Sequence, residues 1–101
     1  MSVREDILGK WLKFLRKGEE LKKKWLRFIK DPDYRLDEEM TKFVLNILVR
    51  KLQPVVEDAM RAHVLYKYGY RKESKNVLMR VKARLNEAIE YVDLILSKWG
   101  G

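Results

Sequence analysis

The chain has 101 residues, no cysteine, and 23 Lys/Arg against 15 Asp/Glu, which gives a formal net charge of +8. This length predicts one domain, residues 1–101, that can bury a core unaided. Without cysteine, a disulfide framework, a thiolate zinc site and a cysteine nucleophile are excluded. Arg4, Glu5 and Asp6 interrupt any early apolar stretch, and no apolar run approaches the ~18 residues that span a bilayer, so we expect neither a secretion signal nor a membrane span.

The polar composition is also skewed, with one glutamine and three asparagines beside many Lys, Arg and Glu. Thermolabile amides are scarce in hyperthermophile proteins, where ion-pair networks gain value with temperature. A chain this short can reach the same composition by chance. The skew favours a thermophilic, archaeal source without deciding it.

Apolar residues recur every three to four positions along the whole chain, which predicts helices and no sheet. The first helix begins at Ser2, a plausible N-cap with Glu5 three positions later. Its apolar stripe keeps register through Gly18, which favours one long helix over two. The stripe consists of Ile7, Trp11, Phe14, Gly18, Leu21, Trp25 and Phe28.

The Asp31-Pro32-Asp33 sequence ends this helix, because proline lacks an amide hydrogen and disfavours helical geometry in the residue before it. The second helix is predicted to start near Asp37, whose side chain can cap it. Its stripe continues across Pro54, which predicts a kink near residues 50–54 and not an end. The stripe consists of Leu45, Leu48, Leu52, Val55, Ala59, Ala62 and Tyr66.

Gly69 is the predicted stop of the second helix, and Ser74 is the predicted cap of a third that ends at Gly100. Its stripe consists of Leu78, Val81, Leu85, Ala88, Val92, Ile95 and Trp99. Three stripes of similar length joined by short turns predict an all-α fold, an antiparallel three-helix bundle with long helices.

Positive charge is concentrated in two blocks, residues 10–30 and residues 61–84, each with a net charge of +7. Such blocks attract polyanions, of which nucleic acid is the commonest in a cell. On the first helix the basic face is predicted to bind through Lys10, Lys13, Arg16, Lys17, Lys23, Lys24 and Arg27. An anionic membrane surface and an acidic protein groove suit the same face, and a solvated outer face needs no partner.

Rings and cations alternate across the turn between the second and third helices, which suits stacking on unpaired bases beside phosphate contacts. Tyr66 belongs to the apolar stripe and is expected in the core, and one of Tyr68 and Tyr70 can simply cover the bundle end. The binding residues predicted here are Lys67, Tyr68, Tyr70, Arg71, Lys72, Lys75 and Arg80. Since antiparallel packing would place this turn near Lys10 and Lys13, we expect the two blocks to merge into one surface.

Side chains for catalysis are scarce. His63 is the only histidine and is expected to be packed or capping, and Ser2, Ser74 and Ser97 are expected at helix ends. Adjacent acids on a helix point 100° apart, so neither residues 37–39 nor residues 57–58 form a convergent Mg²⁺ site. With no phosphate loop, zinc spacing or dinucleotide fingerprint, we expect no enzyme, no metal and no cofactor.

Two functions remain. The first is a non-enzymatic accessory or architectural subunit of a DNA replication or repair assembly, such as a DNA polymerase, or of another nucleoprotein assembly. It would be cytoplasmic and nucleoid-associated, and it would bind the backbone of DNA, favoured over RNA, largely without sequence specificity. The second is a protein-interaction subunit that docks on a larger protein or on its own copy through wide apolar faces, anchored by Trp11, Trp25 and Trp99. No membrane partner is expected from either.

Overall fold

A computed structural model describes the backbone of residues 3–100 and the side chains of residues 9–13 and 15–100. Three helices follow one another, namely α1 (Val3–Lys30), α2 (Glu38–Lys67) and α3 (Arg71–Ser97). The predicted all-α helical bundle is confirmed. The proposed Ser2 cap and the side chains of Ile7 and Phe14 lie outside the described residues.

The helix boundaries follow the local signals closely up to the second turn. α1 runs unbroken through Gly18 and ends before Asp31, as predicted. Asp37 is the N-cap of α2, and its Oδ1 accepts a hydrogen bond of 2.7 Å from the Met40 amide. α2 continues through Pro54, also as predicted, and ends at Lys67.

The third helix starts earlier and ends earlier than predicted. Gly69 has φ +89, a left-handed conformation that glycine adopts without strain, so the chain reverses there and α3 begins at Arg71 with Tyr70 as its N-cap. The prediction that Ser74 caps this helix is wrong. Ser74 lies inside the first turn, and its hydroxyl donates to the Ala62 carbonyl of α2 at 2.7 Å. The helix stops at Ser97, short of Gly100.

α2 and α3 pack antiparallel along their length and form a hairpin. The α3 side of this seam alternates steps of three and four without interruption. The positions are Ser74, Val77, Val81, Arg84, Ala88, Tyr91 and Ile95, all of them buried except the half-buried Arg84. The predicted α3 stripe is therefore only partly right. Its members Val81, Ala88 and Ile95 are buried, while Leu78 and Leu85 are exposed.

The predicted α2 stripe needs a similar correction. Val55 and Ala62 are buried, but Leu45 and Leu52 are exposed, and so is Tyr66, which was expected in the core. On α2 the buried positions are Met40, Val44, Val55, Asp58 and Ala62. The seam thus lies beside the predicted stripe, because α2 has a second apolar face that the seam does not use.

The core lies at the end of the hairpin where α1 and the loop at 31–37 close over it. It contains Phe28, Tyr34, Leu36, Met40, Val44, Tyr91 and Ile95. The chain's last described residues fasten this loop. The Leu36 amide donates to the Lys98 carbonyl at 2.8 Å, and the buried Lys98 ammonium donates to the Asp31 carbonyl.

α1 packs only through its C-terminal part. Leu21 and Trp25 lie against the core and Phe28 lies inside it, but α1 approaches α2 closely at few positions. The longest dimension of the molecule is 66 Å. Helices of this length aligned side by side would span only about 45 Å at 1.5 Å per residue. The N-terminal half of α1 therefore diverges from the hairpin.

Candidate nucleic-acid interface

The first basic block is mostly solvent-facing. The exposed residues are Lys10, Lys13, Arg16, Lys17 and Lys23, and among the described side chains none of them forms an ion pair with a carboxylate. A face that carries several cations and no pairing carboxylate has a positive electrostatic potential, and this potential attracts anions. This half of α1 keeps its positive field available to a ligand.

Two cations of the predicted face instead serve the fold. Lys24 Nζ donates to Asp37 Oδ2 at 2.9 Å, which raises the pKa of Lys24 and lowers that of Asp37. Arg27 lies 3.6 Å from the Asp31 carboxylate and 5.2 Å from the Tyr34 ring centroid. These contacts tie α1 to the loop that follows it. Lys24 and Arg27 are therefore less available to a polyanion than sequence alone indicated.

The turn between α2 and α3 presents three rings to solvent. Tyr66, Tyr68 and Tyr70 expose 60%, 70% and 57% of their surface, so neither the expected core position of Tyr66 nor a covering role is found. The Arg71 guanidinium lies 5.4 Å from the Tyr66 ring centroid. Hydrogen bonds from the amides of residues 68, 69 and 70 back to α2 hold the turn in place. The three rings are therefore attached to a backbone whose conformation these hydrogen bonds hold.

Cations surround these rings and continue along α3. Lys67, Lys72, Lys75 and Arg80 are exposed, and no carboxylate among the described residues pairs with them. Arg61 and Arg84 differ, since both lie within 3.8 Å of the buried Asp58 carboxylate. The second basic block thus has cations without a carboxylate partner among the described residues near the turn, and cations paired with Asp58 at the seam.

Sequence reasoning missed a third basic feature in the groove between α2 and α3. Lys51, Arg80 and Arg84 line one depression of about 420 Å³, together with Glu87. The Lys51 ammonium lies 5.3 Å from the Tyr91 ring centroid, so a cation occupies a position beside the apolar seam. Position 51 falls on the three-and-four spacing of the buried α2 residues but holds a lysine where an apolar residue is expected. A charged residue at such a position is the sequence signal that could have predicted the basic depression.

The expected merging of the two blocks is not supported. It required α1 to lie along the hairpin so that the turn would meet Lys10 and Lys13. Since the N-terminal half of α1 diverges, packing does not bring these groups together. The structure presents two separate basic regions.

The three tryptophans have different surroundings. Trp25 is half-buried and packs on Phe28, Phe43 and Tyr91 with ring centroids 5.4 to 6.4 Å apart, so its own core occupies it and it is not free to anchor a partner. Trp11 and Trp99 are exposed. Trp99 lines a shallow depression at the 36–42 end of α2.

The remaining polar groups show no convergent catalytic arrangement in the described part of the chain. His63 is exposed at the edge of an apolar groove, and is neither packed nor capping. The Ser97 hydroxyl donates to the Leu94 carbonyl within its own helix. Among described side chains, no three acidic or histidine groups cluster as metal ligands. None of the described helices is long and apolar enough to cross a bilayer.

Comparison with known proteins gives no relative. No family of proteins, curated protein or solved structure matches the chain.

Proposed function

We propose that this protein is a non-enzymatic nucleic-acid-associated module that binds the backbone of DNA, and with lower preference RNA, largely without sequence specificity. The observation that carries the proposal is the exposure of the three rings of Tyr66, Tyr68 and Tyr70 at a turn that is followed by the exposed, unneutralised cations Lys72 and Lys75. A ring supplies a stacking surface for an unpaired base, and a neighbouring ammonium takes its phosphate.

Single-stranded nucleic acid suits the turn better than intact duplex. Duplex bases are stacked on one another and offer no face to a tyrosine ring, whereas unpaired bases do. The depression lined by Lys51 and Arg80 lies along the same hairpin and provides a place for further phosphates. The separate basic half of α1 would add a second contact on the same strand or on another strand.

The experiment is a binding titration followed by fluorescence anisotropy with labelled single-stranded and duplex DNA and RNA. Phosphate contacts release counterions, so affinity is expected to fall steeply between about 50 and 200 mM salt. A flat salt response contradicts the proposal. So does an unchanged affinity for single strands after Tyr68→Ala, because loss of a stacking ring should weaken single-strand binding selectively.

Charge-reversal variants locate the contact. Lys72→Glu is expected to weaken single-strand binding more than Arg50→Glu, which changes net charge equally at an exposed position outside both blocks. The pair Arg71→Glu with Lys72→Glu is expected to cost at least as much affinity as Lys13→Glu with Lys17→Glu. Equal losses for Lys72→Glu and Arg50→Glu would mean that only net charge matters and that the turn is not a site.

A second candidate function is protein interaction, in the same or another assembly. It is favoured by the number of large apolar side chains on the surface, among them Met60 and Leu96. Soluble monomers rarely expose apolar patches beyond a few hundred Å². The accessory or architectural role in a replication or repair complex remains a proposal that rests on both features together.

A further inference from the structure

The hairpin has an apolar face that the seam and α1 leave uncovered. We call it the hairpin face. Its residues repeat at helical spacing and are all exposed to solvent. They are Leu45, Val49, Leu52, Val56 and Met60 on α2, and Leu78, Leu85, Ile89 and Leu96 on α3. Along part of this face, Val56, Met60 and Leu85 border a groove of about 530 Å³ whose floor includes Val55 and Val81.

The chain's own α1 cannot cover this face. α1 packs on Phe43 and Ile47, and at 100° per residue Leu45 and Val49 point 200° away from those two positions. Phe28, buried in the core, holds α1 on its side of the hairpin. None of the three described helices therefore covers the hairpin face.

The exposed area of the chain exceeds what a monomer of this size carries. The accessible surface is 8584 Å² for 12.2 kDa. A compact monomer of that mass exposes about 6,100 Å², so the excess is about 2,500 Å². Stable dimers bury about 800 Å² or more per partner, and obligate ones considerably more. The excess therefore matches the area that a substantial interface removes.

Residues 9–17 of α1 are complementary to the hairpin face in exposed apolar surface and in charge. Trp11, Leu12 and Leu15 each expose more than half of their surface. Residues 9–17 carry four cations and no acid, whereas α3 carries the exposed acids Glu90 and Asp93 between Ile89 and Leu96 and no cation from residue 85 to residue 97. An amphipathic basic helix laid beside Ile89 and Leu96 would bury apolar surface while its cations meet acids such as Glu90 and Asp93.

We infer that the hairpin face binds the N-terminal half of α1 of a second copy of this chain, so that the protein forms a homodimer in which this half of each α1 lies on the other copy's hairpin. Such an exchange is reciprocal under a two-fold axis. In both chains, the dimer covers the hairpin face and the exposed apolar residues Trp11, Leu12 and Leu15 of α1. The core around Phe28 stays within each chain.

The test is the mass of the purified protein by light scattering, without nucleic acid. Twice the chain mass of 12.2 kDa is expected. Ile89→Lys and Leu15→Lys each place a cation in the interface, and each is expected to raise the dimer dissociation constant at least about tenfold. Met79→Lys is the matched control, since Met79 is equally exposed on α3 but lies outside the hairpin face. Circular dichroism melts check that each variant folds.

Chemical cross-linking identifies the occupant, which is simple in a chain without cysteine. Leu15→Cys and Ile89→Cys chains of different tag length are mixed and treated with a short bis-maleimide, and the mixed product is expected in excess over both self-linked products. A monomer at every concentration overturns the inference. A dimer insensitive to Ile89→Lys, or Ile89→Cys chains linked only to themselves, overturns the assignment of α1 to the hairpin face. These outcomes are independent of nucleic-acid affinity.

Discussion

The Tyr91 hydroxyl donates a hydrogen bond of 2.9 Å to the Val44 backbone carbonyl across the seam between α2 and α3. Both residues are buried, and Val44 is a helical residue whose carbonyl also belongs to the α2 ladder. The same ring packs on Trp25 and Phe28 of α1. Tyr91 is thus the one described side chain whose ring contacts α1 while its hydroxyl contacts α2, and it joins all three helices.

Tyr91→Phe should lower the free energy of unfolding by about 1 kcal/mol at pH 7, the usual net worth of one buried neutral hydrogen bond. The ring contacts remain, so the fold is retained. Urea unfolding followed by circular dichroism measures the loss. A variant as stable as wild type would show that the hydroxyl contributes nothing.

The free energies of unfolding of wild type and Tyr91→Phe should change differently in alkaline solution. Burial raises the pKa of Tyr91 from 10.0 to about 12. A raised folded-state pKa means that the neutral hydroxyl stabilises the fold fully below pH 10 and that this contribution is lost as pH rises toward 12. Wild type should therefore lose stability faster than Tyr91→Phe over that interval. Lysines titrate in both proteins and cancel in the difference.

An ion pair between a buried carboxylate and a half-buried guanidinium crosses the same seam. Asp58 is 6% exposed, and its Oδ2 lies 3.7 Å from Arg84 Nε without forming a hydrogen bond. Arg84→Leu should cost about 2 kcal/mol, because Asp58 then keeps only Arg61 near its other oxygen. The double change Asp58→Leu with Arg84→Leu should return within about 1 kcal/mol of wild type, since paired apolar groups avoid the desolvation of two charges. Thermal unfolding of wild type, Asp58→Leu, Arg84→Leu and the double variant measures the coupling energy between the two side chains in a double-mutant cycle. Losses of stability that simply add would contradict this coupling.

Asp37 both caps α2 and pairs with Lys24, and two substitutions separate these roles. Asp37→Ala loses the cap and the charge and should cost about 1 kcal/mol. Asp37→Asn keeps an acceptor for the Met40 amide and should cost less. The hydrogen bond from Lys24 and then that from Met40 lower the pKa of Asp37 below its usual 3.8. The charge therefore stabilises the fold at higher pH, and this is lost as pH falls through the folded-state pKa.

Melting temperatures of wild type and Asp37→Asn should consequently approach each other when measured from pH 7 down to pH values below the pKa of Asp37. The Asp37→Ala difference should persist in part, because a protonated aspartate still has an oxygen to accept the Met40 amide. A constant gap between wild type and Asp37→Asn at every pH would mean that the ion pair with Lys24 adds no stability.

Two glycines offer a matched comparison of backbone effects. Gly18 lies inside α1 with no neighbour within 4 Å of an added Cβ, so Gly18→Ala should stabilise the protein by up to about 1 kcal/mol. Gly69 also has open space, but its φ of +89 strains any Cβ, so Gly69→Ala should destabilise the protein by about 1 kcal/mol. Opposite signs in thermal unfolding are the expected result, and equal signs would contradict the backbone assignment of Gly69.

Local signals predicted the helices well because they act within a few residues. A proline without an amide hydrogen ended α1, the Asp37 carboxylate capped α2, and Gly69 provided the reversal. Ser74 failed as a cap because its hydroxyl found a tertiary partner at Ala62. A serine hydroxyl can cap a helix or bond to a carbonyl of another helix, and its neighbours in the folded structure decide which of the two it does.

The choice between two apolar stripes on one helix was not available from periodicity. On α2, the run Leu45, Val49, Leu52 and Val56 and the run Val44, Val55 and Ala62 both recur at helical spacing. Only packing against α3 selected the second and left the first on the surface. Tyr66 follows the buried Ala62 by one turn but is exposed, because it lies at the end of α2, so the turn carries three exposed rings and not two.

The sequence by itself determined three long helices, their turns and the concentration of positive charge, because capping, proline geometry and composition are properties of short segments. The tertiary structure decided which apolar face became the seam, which cations were neutralised and how far α1 followed the hairpin. Those outcomes depend on contacts between residues far apart in the chain. Several packing arrangements of the same amphipathic helices are compatible with one periodicity of apolar residues, and only the contacts between helices select one of them.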